Sequence, residues 1–172
     1  MNFLTLTRWN HAIEHGTIHI LSRMMPFTNM AGRSTSRGFF IYGDIPTDAL
    51  REGVQEAIHR ITGGEHQLAI HPNCGTNMIS SAILAAGATM LATNSTRRRG
   101  LTEQVPAGVL GALLGVVLGQ VVGLRLQAHL TTNTDFTHAR IIEIQRRNLG
   151  KRVIHWVGID YNQPPQLPGA QL

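Results

Sequence analysis

Cysteine is nearly absent from this chain. Cys74 stands alone among 172 residues, which excludes an intrachain disulfide. Aromatic residues make up only 5%, and no aromatic-and-basic motif accompanies the net charge of +5. That charge comes almost wholly from arginine, and without such a motif it does not point to nucleic acid. Anionic lipid headgroups beside a membrane account for a basic face more simply. The first residues lack the charged, apolar and cleavage regions of a secretory signal, so residues 1–71 are expected on the cytoplasmic side.

The most informative absence is one of charge. No Asp, Glu, Lys or Arg occurs from Pro72 to Thr96, and none from Gln104 to Leu124. Two such blocks, separated by Arg97, Arg98 and Arg99, predict a transmembrane helical hairpin over 76–128. Residues 107–124 alone would span about 27 Å at 1.5 Å per residue, close to the thickness of a bilayer's hydrocarbon core. Ser80, Ser81, Thr89 and Thr93 dilute the first block, which leaves a buried hairpin in a soluble oligomer as the alternative. Ala107, Gly111, Gly115, Gly119 and Gly123 recur every fourth residue. Each glycine inside a helix costs about 1 kcal/mol relative to alanine. Close helix approach is the compensation that lipid allows, against either Ser81, Ala85, Ala88 and Ala92 or a second copy. Gln120 is expected to hydrogen bond across that contact. The segments flanking a double span share one side, and Arg140, Arg146, Arg147, Lys151 and Arg152 favour the cytoplasm, whereas Arg97, Arg98 and Arg99 argue the opposite way. The expectation is therefore an integral membrane protein whose flanking segments lie on the cytoplasmic side.

Outside the hairpin the patterning predicts an α+β domain in two parts, 1–75 and 129–160. Residues 4–25 read as a helix stopped by Pro26, and 27–37 as a polar loop. The run 38–43 reads as a strand, and apolar residues from Ala49 to Ile61 recur at helical spacing until Gly63-Gly64. Residues 65–71 alternate and read as a strand, making a βαβ unit. Residues 139–146 and 151–158 form a hairpin that completes the small sheet, and the proline-bearing segment 161–172 is expected to be a disordered tail.

Chemistry concentrates in the first helix. At about 100° per residue, His11, Glu14, His15 and His19 share one face with Thr7, Ile18 and Ser22. His11-Ala-Ile-Glu14-His15 has the spacing H-x-x-E-H, in which two histidines four apart bind one metal and the glutamate takes a proton from metal-bound water. Zinc is the expected metal. His71, beside the polar turn Asn73–Asn77, is the expected third ligand, with Glu65 or His66 as substitutes, because His66 and His71 point to opposite faces of a regular strand. The alternative is a helix whose histidines face solvent or a partner.

HAIEHGTIHIL at 11–21, GRSTSRGFFIYGDIPTDAL at 32–50 and GEHQLAIHPNCGTN at 64–77, followed by the apolar hairpin, resemble a family of bacterial membrane proteins of unknown function. That resemblance covers most of residues 8–125 and implies a membrane protein with no assigned activity. HAIEH alone is similar to the inverted zinc motif of insulinase-type peptidases. Three functions follow from these readings. The first is a membrane-anchored metal-binding protein acting as a zinc hydrolase, with His11, His15 and His71 as ligands and Glu14 as general base. The second is a non-enzymatic scaffold or accessory subunit that forms a homo-oligomer, or joins a membrane complex, through its glycine stripe. The third has the histidines ligating haem or chlorophyll.

Overall fold

The computed structural model describes residues 2–96, 100–150 and 152–162. Arg97–Arg99, used above to weigh orientation, lie outside the described residues, as do Lys151 and the tail from 163. The chain divides into two compact units, residues up to Ile70 together with those from Thr132, and His71–Thr131.

The first unit is an α+β domain. Helix α1 (Phe3–Met24) begins where Asn2 accepts a bond from the Leu4 N–H at 3.2 Å, and it ends just before Pro26. Strands β1 (Ala31–Thr35) and β2 (Gly38–Tyr42) make a hairpin through Ser36-Arg37, and α2 (Thr47–Thr62) follows. Strands β3 (Arg140–Leu149) and β4 (Arg152–Asp160) form a second hairpin; Gly150 sits near it at φ +61°, a conformation that favours glycine. All pairing is antiparallel in the order β1-β2-β4-β3.

Three expectations need correction. Residues 65–71 are not a strand: His66–Ala69 is a 3₁₀ turn, closed by Leu68 N–H to Glu65 O and Ile70 N–H to Gln67 O, each 3.1 Å. Its neighbours Leu68 and Ala69 are both buried, which an alternating strand on one sheet face does not achieve. The polar stretch 27–37 instead supplies the edge strand β1, so the sheet has no parallel βαβ crossover. Tyr161, assigned to the tail, is buried; its hydroxyl donates to Asn10 Oδ1 at 2.7 Å and its ring lies 4.9 Å from that of Trp9.

One sheet face is covered by the two helices. Phe39, Ile41, Val157 and Ile159 on the strands form the core with Ile13 and Leu21 of α1 and Leu50, Val54 and Ile61 of α2. Each such buried side chain contributes about 1.5–3 kcal/mol. The helices cross closely because Gly16 faces Ala57 and Ile61, and Gly53 faces Leu21; an added Cβ would come within 3.1 Å and 3.0 Å of those side chains. Asn10 ties α1 to the β1 end by donating to Thr35 O at 2.8 Å.

The second unit is a helical hairpin of α3 (Gly75–Ser95) and α4 (Leu101–Leu126), with a π-helical turn at Gln127–Thr131. Both helices are long and apolar enough to cross a membrane. The glycine stripe of α4 faces α3: Gly111 lies against Ala88 and Ala92, Gly115 against Leu84 and Ala85, Gly119 against Ser81 and Gly123 against Asn77. The small-residue strip within the same chain is thus its partner here. Gln120 meets Asn77 across the pair at 3.4 Å, as its isolated polarity suggests.

Candidate metal centre

The histidine-rich face of α1 is turned inward. His15 is only 2% exposed and Glu14 4%, while His11 and His19 are half-buried, so the face is not a solvated one. One helical turn brings the His11 and His15 rings to a centroid separation of 4.3 Å in an edge-on arrangement. His15 Nδ1 lies 2.7 Å from the Ala69 carbonyl. Only a protonated nitrogen can donate to a carbonyl, so this contact puts a proton on Nδ1, and the neutral form of such a ring has its lone pair on Nε2. Backbone anchoring of this kind orients a ligating imidazole. His19 has the reverse arrangement, with Nε2 donating to the Ile70 carbonyl at 2.9 Å. The two histidines therefore clamp consecutive carbonyls at the end of the 3₁₀ turn.

Glu14 points toward β1. Ser34 Oγ donates to its Oε2 at 2.5 Å, and Gly32 lies beneath the carboxylate, where a Cβ would collide with it. Ser34 and Gly32 occupy alternate positions of β1, so both face α1. Burial pushes the Glu14 carboxyl above its ordinary range, opposed by the Ser34 hydrogen bond and the nearby His11.

His71 and Cys74 belong to the helical hairpin. The His71 carbonyl accepts from the Cys74 N–H at 3.2 Å, closing a turn, and the His71 N–H donates to Gln127 Oε1 at 2.9 Å. Asn77 Nδ2 donates to the Pro72 carbonyl at 2.8 Å, and Gln127 Nε2 donates to Asn77 Oδ1 at 2.6 Å. Both amides are fully buried, and together they hold the turn. Of the alternative ligands, Glu65 is paired with Arg60 through both carboxylate oxygens, and His66 is exposed.

His11 and His15 are a pair one helical turn apart that could share a metal ion, and nothing in them fixes which metal; Cys74 offers a thiol in the second unit. Cys74 was not among the ligands expected from sequence. Its signal was its place: a lone thiol in the polar turn next to His71, at the start of α3.

Residues 6–144 match the family described as Domain of unknown function (DUF6391). The chain belongs to that family. A relative, an uncharacterised protein of Picosynechococcus sp., is 31% identical over 138 residues, covering 75% of this chain and 67% of its own length. No solved structure matches. Both anchored histidines, Glu14 with its β1 partners and the clamped 71–74 turn fall inside the DUF6391 match.

Proposed function

We propose that this DUF6391 protein is a membrane-anchored metal-binding protein whose metal is held by His11 and His15, with Cys74 as third ligand and His71 as the alternative. The observation that carries the reading is the His15–Ala69 contact, which holds a buried imidazole in the tautomer that presents Nε2 to a metal. Chain continuity supports a ligand from the turn, since Cys74 follows Ile70, the residue clamped by His19, by four positions. Two imidazoles and a thiolate suit zinc or copper(I) better than the oxygen-seeking magnesium or calcium.

Holding a metal comes ahead of hydrolysis in this reading, because the Glu14 carboxylate is engaged by Ser34 and faces β1. Anchoring rests on the two apolar helices, whose outward side chains include Ile79, Ile83, Leu110, Leu113, Leu114 and Val117, all more than half exposed. Lipid would cover such a surface.

The test is metal content by mass spectrometry on protein purified without a histidine tag. Equimolar zinc or copper is expected in the native sequence, with strong loss in His11→Ala/His15→Ala. Loss in Cys74→Ser but not His71→Ala would assign the third ligand to sulfur, and the reverse result to His71. Equal metal in all four proteins would refute the site.

A further inference from the structure

The first unit contains a cavity of about 560 Å³ that the metal reading does not use. Its walls are apolar, formed by Leu6 of α1 with Ile142, Ile159 and the Tyr161 ring, and Arg37 stands at its rim. A volume of this order suits a small ligand.

Local features of the chain build both walls and rim. Pairing between β3 and β4 runs Ile141 to Ile159 and then Glu143 to Gly158, so Ile142 is the extra residue of a β-bulge. A bulged residue is released from the ladder, and Ile142 remains 61% exposed beside the cavity. Gly158 makes the room, since a Cβ there would come within 3.0 Å of Ile142 Cγ1. On the opposite side, the backbone of Arg37 is held at both polar groups. Its N–H donates to Thr35 Oγ1 at 3.3 Å and its carbonyl accepts from the Ile159 N–H at 3.2 Å.

Charge decides what fits. Asp160 lies on the same rim, but its carboxylate accepts two bonds from Arg140 and two from Asn162. Among the described residues the Arg37 guanidinium has no such partner and reaches solvent at the mouth. The site therefore offers an apolar slot with one uncompensated cation at its opening. We infer that this cavity binds an anionic amphiphile, an acyl chain in the slot and a carboxylate or phosphate head on Arg37. Arginine pairs bidentately with either head.

Trp9 provides a reporter, because its ring packs on Tyr161 and the chain has only two tryptophans. The measurement uses the full chain carrying Trp156→Phe, in nanodiscs of zwitterionic lipid. It is titrated with a bromine-tipped fatty acid, the matching alkyl phosphate and the matching alcohol. Saturable quenching of Trp9 by the acid or the phosphate is expected, and the tighter of the two identifies the head. Arg37→Gln and Arg37→Glu should each weaken it by about tenfold or more, as loss of a hydrogen bond between charged partners does. Quenching by the alcohol equal to that by the anions, or affinities unchanged in both Arg37 variants, would overturn the proposal.

Discussion

Gly32 and Glu14 are mutually dependent. The carboxylate occupies the space that any side chain at position 32 would need, and overpacking of this kind costs about 1–3 kcal/mol. Gly32→Ala should lower unfolding free energy by that amount, and most of the loss should vanish when Glu14→Ala is also present. Denaturant titration of the two single variants and the double variant measures the coupling, and strict additivity would show that the carboxylate is not what fills the space. His155 poses a different residue-scale problem. It is fully buried on β4, and neither ring nitrogen has a hydrogen-bond partner among the described residues. Burial, with Arg146 close by, holds its pKa below 6.5, only partly offset by Asp44. Below about pH 6.5 the unfolded chain therefore takes up a proton that the folded state resists, so stability is full above that pH and declines as pH falls through it. His155→Leu should flatten this part of the pH profile and leave stability at neutral pH equal or higher by about 1–3 kcal/mol, since no bond is lost. Thermal melts between pH 5 and pH 8 would record both effects. Neither dependence was legible in the sequence, where Gly32 reads as a loop glycine and His155 as one more strand residue.

At the scale of elements, the glycine repeat shows how far a pattern can be read. Its spacing identified a face for close helix approach, and the structure places that face on α3 of the same chain. Gly119 is the most informative position for a test, because an added Cβ would come within 2.7 Å of the Ser81 backbone nitrogen. Gly119→Leu should cost about 1–3 kcal/mol of hairpin stability by overpacking, and faster backbone hydrogen exchange along α3 would report it. The misread elements failed for identifiable reasons. β1 is Ala-Gly-Arg-Ser-Thr, with no β-branched or aromatic residue before Thr35, and it exists because β2 offers an edge and α1 offers Glu14 to Ser34. Residues 65–71 alternate in sequence, yet the Arg60–Glu65 pair and the carbonyls clamped by His15 and His19 hold them as a tight turn.

For the whole molecule, the hairpin tests its own solvent. Val117 lies near the middle of α4 and is 62% exposed. In water, arginine at such a position would be tolerated within about 0.5 kcal/mol. At the centre of a bilayer it costs about 2.5–3.5 kcal/mol on insertion scales. Val117→Arg should therefore reduce the fraction of chain that resists alkaline carbonate extraction from membranes. An unchanged fraction would argue against a spanning α4.

The uncharged blocks, the small-residue stripe, the first two helices and the β3–β4 hairpin were determined by the sequence alone, because each depends on local periodicity or on the cost of moving charge. The sequence also marked out His11, Glu14 and His15. Only the tertiary structure decided which partners those side chains meet: a backbone carbonyl sets the tautomer of His15, and a glycine and a serine on an unforeseen edge strand take the Glu14 carboxylate. Contacts between residues distant in the chain depend on packing, and no spacing rule encodes them.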